Sequence, residues 1–126
     1  MALVDKNQPQ NGRCRATFST LSLPLITTWP ALTEAVYLVY RIGGWSLQLN
    51  LWTYIERGLL QLHSPREEVL LRMKQFMEQY RDTPMDFADA SLVAAAEALN
   101  LTRIFTLDSD FYVYRINGTT PFEVVP

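Results

Sequence analysis

Cysteine and histidine are nearly absent from this chain of 126 residues, each occurring once. Cys14 alone excludes an intramolecular disulfide and a multi-thiolate zinc site, and a reducing cytoplasm fits. Positive charge is not in excess either. Eleven Lys and Arg stand against 13 Asp and Glu, a formal net charge of -2. Such a chain does not hold nucleic acid by bulk charge, so any nucleic-acid chemistry needs a local site. No apolar run approaches the ~18 residues of a membrane span. Met1 to Gln10 lacks the basic start and apolar core of a signal peptide. Repeats, low-complexity tracts and linkers are missing too. What remains is 48% hydrophobic and 19% charged, the balance of a globular protein. Its length suits one domain, residues 1–126, and is too short for two well-cored ones.

Apolar periodicity divides the chain into alternating elements. Arg13 to Leu21 has Cys14 and Phe18 on one helical face. Pro24 to Trp29 is short, β-branched and apolar, which predicts a strand. Pro30 opens a helix carrying Leu32, Ala35, Val36 and Val39, and Gly43-Gly44 stops it. Ser46 caps a second helix with Leu47, Leu51 and Ile55 inward, ended by Gly58. Leu59 to His63 reads as a short strand. Ser64-Pro65-Arg66-Glu67 has the form of a capping box. It opens a helix with Val69, Met73, Phe76, Met77 and Tyr80 in one stripe and Arg72, Lys74 and Glu78 outward. A further helix, capped near Asp86, runs through an Ala-rich stretch to Leu99. Arg103 to Leu107 and Phe122 to Val125 are strands, the second after an Asn117-Gly118 turn. This alternation predicts an α/β domain with a mostly parallel sheet.

The acids cluster by position. In a parallel α/β sheet the carboxyl ends of the strands share one edge with the amino ends of the following helices, and ligands bind there. Glu34, Asp86, Asp89, Asp108 and Asp110 all map to that edge. Close carboxylates raise each other's pKa unless a cation neutralises them. Oxygen donors without His or Cys favour Mg²⁺ or Mn²⁺ over zinc. Each acid also has a plain structural reading. Asp86 can be a helix cap, Asp110 a turn residue and Asp108 a strand terminator, while Glu34 can answer the positive end of its helix. Asp89, between Ala88 and Ala90 and ahead of Leu92 and Val93, is placed beside packed structure.

Three segments carry a family likeness: Thr27 to Ala35 (Thr-Thr-Trp-Pro-Ala-Leu-Thr-Glu-Ala), Pro84 to Leu92 (Pro-Met-Asp-Phe-Ala-Asp-Ala-Ser-Leu) and Thr106 to Phe111 (Thr-Leu-Asp-Ser-Asp-Phe). At these residues the chain resembles the PIN-domain family, and within it the VapC-type toxins of bacterial toxin–antitoxin pairs. The resemblance implies a three-layer α/β/α fold with a mostly parallel central sheet. It implies an endoribonuclease dependent on Mg²⁺ or Mn²⁺, acting in the cytoplasm, silenced by a cognate antitoxin and expected as a homodimer. By motif, Glu34, Asp89 and Asp108 match the family's metal-site acids. Asp86 and Asp110 match extra acids that vary more.

One departure stands out. The family opens with a strand ending in Asp, in a pattern like Leu-Leu-Asp-Thr-Gly-Pro-Leu, and nothing here matches it. Asp5 follows Ala2-Leu3-Val4 but better matches a later family segment, and no small-hydroxyl or Gly turn comes after it. The central first strand and the first metal ligand are therefore expected to be missing. A start assigned too late, or a decayed gene copy, would each explain that. A strand missing from mid-sheet leaves its neighbours' backbone groups in need of partners.

The remaining candidates are weaker. Arg115, after the acidic loop, is the best placed of Arg41, Arg103 and Arg115 to contact phosphate. His63 follows a strand and can be a general base or an edge residue. Trp29, Trp45, Trp52, Tyr37 and Tyr40 can stack bases, although helical spacing more often marks core or dimer surface. The competing expectation is an inactive fragment that only binds a partner, through the Val69-Met73-Phe76-Tyr80 stripe or the Trp-rich helices.

Overall fold

A computed structural model describes residues 24–64, 66–83, 85–106 and 109–125. The expected helix from Arg13 to Leu21 therefore lies outside the described residues, as do Asp5, Cys14, Pro65 and Asp108. Strand β1 (Leu25–Thr28) leads directly into helix α1 (Trp29–Glu56), followed by β2 (Leu60–His63), α2 (Glu68–Gln79), α3 (Phe87–Leu99) and β3 (Arg103–Phe105). A 3₁₀ turn (Ser109–Tyr112), a small hairpin of β4 (Arg115–Ile116) and β5 (Thr120–Pro121), and β6 (Glu123–Val125) complete the chain. Parallel strands and three helices among the described residues give the mixed α/β architecture that the alternation predicts.

Helix α1 begins because Thr28 is extended and its Oγ1 accepts a hydrogen bond from the Ala31 amide, with Pro30 in the first turn. Gly43-Gly44 interrupts the helix, so that α1 is two helical arms meeting at a kink. Gly44 has φ 66 and ψ -154, a backbone region that only glycine tolerates. The kink divides α1 into the two arms expected from sequence, and Gln48 Nε2 donates to the Val36 carbonyl across it at 3.1 Å.

Helix α2 starts later than its capping box predicts. Its N-cap is Glu67, with no side-chain capping bond. Ser64 is occupied elsewhere, since its hydroxyl accepts from Trp29 Nε1 at 3.1 Å. Helix α3 follows expectation: Asp86 caps it, and Asn100 ends it at φ 54, donating to the carbonyls of Ala96 and Glu97.

The strands form two parallel pairs and one antiparallel hairpin. Strand β1 pairs with β2 in register Leu25 with Leu60 and Thr28 with His63. Strand β3 pairs with β6, Arg103 with Glu123. The hairpin β4–β5 turns through Asn117 and Gly118, both at positive φ. Sequence periodicity does not reveal this hairpin, because strands of two residues carry no alternation.

The larger core joins Met73 and Phe76 of α2, Ala90, Val93, Ala94 and Ala96 of α3, and Phe111, Tyr114, Ile116 and Phe122 of the C-terminal segment. Tyr80, Phe111 and Phe122 meet one another or Tyr114 edge-to-face, with ring centroids 5.1–5.6 Å apart. Of the α2 stripe, Met73 and Phe76 are thus interior and Val69 and Tyr80 pack against them, which removes these four as a partner surface, while Met77 is exposed. Arg72, expected to point outward, instead forms a two-pronged pair with Glu97 of α3. Its Nε donates at 3.2 Å and its Nη2 at 3.0 Å. The guanidinium also lies 4.3 Å from the Phe76 ring centre. Hydrogen bonding to Glu97 raises the Arg72 pKa above its ordinary value, with burial opposing. Glu97 further accepts the Asn117 amide at 2.8 Å. One carboxylate thereby ties α2, α3 and the hairpin together. A smaller cluster, Leu32, Leu51 and Leu60 with Leu25 and Leu62 against it, packs α1 on one face of the β1–β2 pair.

Candidate active site

The site is built where the carboxyl end of β1 meets the amino ends of α1 and α3. A chain of buried hydroxyls fixes that meeting. Thr28 Oγ1 lies 2.6 Å from Ser91 Oγ, and Ser91 Oγ donates to the Ala88 carbonyl at 2.6 Å. With Ser91's proton so used, Thr28 is the donor to Ser91 while accepting the Ala31 amide. Both hydroxyls are nearly inaccessible to solvent. This network joins the first turn of α1 to the first turns of α3, and so sets Glu34 relative to Asp86 and Asp89.

Glu34 is exposed in the second turn of α1. Together with Asp86 it lines an open groove of about 760 Å³ whose other walls include Trp29, Tyr37 and Phe87. Asp86 performs the structural role foreseen for it. It is extended at φ -83 and ψ 175, and its Oδ1 accepts the Asp89 amide at 2.7 Å. The first-turn N–H groups of α3 place partial positive charge beside Asp86 and Asp89.

Asp89 is half-buried, as its Ala-rich context predicts. Its Oδ2 accepts the Tyr114 hydroxyl at 3.2 Å. Tyr114 is fully buried, and its amide is held by the Asp110 carbonyl at 3.2 Å. This tyrosine therefore connects the 3₁₀ segment that carries Asp110 to the Asp89 carboxylate. Sequence reasoning missed it. Tyr114 lies 25 residues from Asp89 in the chain, and no local spacing marks the pair.

The structure brings Glu34 and Asp86 to one groove and places Asp89 one helical turn beyond Asp86. Asp110 sits on the neighbouring 3₁₀ turn, half-buried. Asp108 lies outside the described residues. Among the described residues, no three of His, Cys, Asp and Glu stand close enough to hold a metal ion together. The donor chemistry itself suits a hard divalent cation, since every acid at this edge offers oxygen and no thiolate or imidazole competes.

The cationic candidates have structural partners. Nη1 of Arg115 donates to the carbonyls of Tyr112 at 2.7 Å, Tyr114 at 3.0 Å and Val113 at 3.3 Å, closing the end of the 3₁₀ turn. Its amide donates to the Tyr80 hydroxyl. Arg103 faces Glu123 at 3.6 Å, and Arg41 lies over the Tyr37 ring. His63 is half-buried at the end of β2, opposite Thr28. The aromatic residues of α1 are not core. Trp29, Tyr37, Tyr40, Trp45 and Trp52 are each 46–59% exposed. Of these, Trp29 and Tyr37 flank Glu34 directly.

Residues 1–117 match one protein family, the PIN domain. No curated protein matches the chain.

Proposed function

This chain belongs to the PIN domain family, and from that premise we propose that it is a metal-dependent endoribonuclease of the VapC toxin type. PIN domains are generally nucleases that use divalent metal ions and bind RNA. The observation that carries the proposal for this chain is the groove at the carboxyl end of β1, where Glu34 and Asp86 lie among exposed Trp29, Tyr37 and Phe87. Acid and aromatic surface side by side suit a phosphodiester between unpaired bases.

Glu34, Asp89 and Asp108 would hold Mg²⁺ or Mn²⁺, with Asp86 and Asp110 adjoining. Such a cation lowers the pKa of its bound water and stabilises charge gathering on the phosphate. The protein's own part is positioning. Tyr114 fixes the Asp89 carboxylate through its hydroxyl, and the Thr28–Ser91 pair fixes the spacing of α1 from α3. Trp29 and Tyr37 offer rings on which bases stack, an interaction tolerant of sequence. Arg115 reaches phosphate only through guanidinium nitrogens other than Nη1. With a net charge of -2, a neutralising cation precedes productive approach of RNA.

The same reading has the toxin act in the cytoplasm as a homodimer, silenced by an antitoxin. In support, α1 exposes Leu38, Ile42, Trp45 and Leu49, an apolar stretch suited to a protein partner. No helix among the described residues is long and apolar enough to cross a membrane. RNA cleavage with Mn²⁺ or Mg²⁺ tests the proposal. Asp89→Asn is expected to lose at least about a hundredfold in rate, several kcal/mol of barrier. Cleavage by the variant at the parental rate would refute the assignment. A parental chain inert with both metals would favour the partner-only role.

A further inference from the structure

Tyr114 is wholly buried, yet its hydroxyl reaches the half-buried Asp89 carboxylate at 3.2 Å. A carboxylate oriented by such a bond keeps its direction only while the donor keeps its own. The Tyr114 ring is gripped on two sides. It meets Tyr80 and Phe111 edge-to-face, with ring centroids 5.1 Å away in each case. The main chain leading into it is a different matter. Tyr112 and Val113 are 61% and 47% exposed, so side-chain packing does little to fix that stretch.

Hydrogen bonds fix it instead, and they converge on the next residue. Nη1 of Arg115 donates to the carbonyls of Tyr112 at 2.7 Å, Tyr114 at 3.0 Å and Val113 at 3.3 Å. That nitrogen carries two hydrogens, so at least one is shared between acceptors. Carbonyls at the end of a helical turn lack amide partners, and a cation there satisfies them by charge-assisted bonds. The Arg115 amide donates to the Tyr80 hydroxyl at 3.0 Å, the same Tyr80 whose ring meets Tyr114. From the other side, the amides of Val113 and Tyr114 donate to the Asp110 carbonyl. The backbone of Tyr114 is thus closed in from both directions.

We propose that Arg115 is a positioning residue, which fixes the Asp89 carboxylate through the main chain and hydroxyl of Tyr114, rather than a contact to phosphate. Its Nη1 is turned back onto its own chain, where it braces the exposed approach to a buried ring. The ring then carries that order inward to the acidic edge. That the carboxylate is thereby presented to a cation rests on the nuclease reading; the fixing of the carboxylate does not.

Two readouts test the proposal. In the metal-free chain, the carbon-13 resonance of the Asp89 side-chain carboxyl reports the bond from Tyr114. Tyr114→Phe keeps the ring, removes that bond and is expected to move the resonance. Arg115→Gln is expected to move it in the same direction, and to add nothing once Tyr114→Phe is present. With Mn²⁺ alone, Tyr114→Phe should weaken binding about tenfold and Arg115→Gln about threefold, again without adding. Thermal unfolding establishes that each variant is folded. If Arg115→Gln is not, Arg115→Lys takes its place. Its shorter stem withdraws the charge from the carbonyls but keeps a cation for phosphate, so the same shifts are expected from it. An unmoved resonance, or effects of Arg115 and Tyr114 that simply add, would overturn the proposal. So would unchanged Mn²⁺ affinity beside a weaker salt dependence of binding to a short RNA, the mark of a lost phosphate contact. If the resonance shifts behave as expected and the parental chain binds no Mn²⁺, the positioning stands and the nuclease reading falls.

Discussion

The two halves of the molecule are held together to very different degrees. The C-terminal half, α2, α3 and β3 through β6, encloses a continuous core with Phe76, Val93, Phe111 and Tyr114 almost wholly buried. The N-terminal described half, β1, α1 and β2, has a smaller cluster of Leu32, Leu51 and Leu60, buries Ala31, Ala35 and Val39 besides, and leaves much of its 28-residue helix facing solvent. The groove with Glu34 and Asp86 lies where the two halves meet, and the thinly covered half supplies its aromatic wall. Stability and site chemistry therefore reside in different places. The C-terminal half provides the rigid support. The N-terminal half provides the exposed rings, which invite something else to bind.

Mutations can break this contrast in order of size. Phe76→Ala should cost about 3–5 kcal/mol, because a fully buried ring leaves a cavity that α2 and α3 cannot close. Leu51→Ala should cost about 2 kcal/mol, since its cluster is small and already borders solvent. Denaturant titration of both variants measures the difference, and equal losses would show that the halves are equally cored. Smaller still is Glu97→Gln. The Arg72–Glu97 pair is charge-assisted and two-pronged, but 40% of the Arg72 side chain is exposed. Solvent screening limits the loss to about 1 kcal/mol. The same titration checks it, and a loss as large as that of Phe76→Ala would make this pair, rather than the ring packing, the main link in the C-terminal half.

Much of this architecture was legible in the sequence wherever local chemistry decides it. The Leu-Ile-Thr-Thr strand, the Pro30 start, the Asp86 cap and the Ala-rich helix follow from residues within one turn of each other. What escaped was decided across the chain. Ser64 does not cap α2, whose N-cap is Glu67; its hydroxyl meets Trp29 across the chain instead. Arg72, partly exposed, turns toward Glu97, one helix away, which accepts its guanidinium. The site divides in the same way. Asp86 and Glu34 share an edge because one caps a helix and the other lies within two turns of a helix start, which sequence position reveals. The Tyr114 bond to Asp89 links two elements whose closeness only folding creates. The exposure of Trp45 and Trp52 was equally hidden, because helical spacing gives a face and not what lies against it.

The central claim is that acids on this edge hold a divalent cation, and Mn²⁺ binding without RNA tests it most directly. Calorimetric titration of the full chain should show saturable binding, weakened at least about tenfold, or 1.4 kcal/mol, by Asp89→Asn and by Glu34→Gln. Equal Mn²⁺ affinity in the parental chain and both variants would contradict the account.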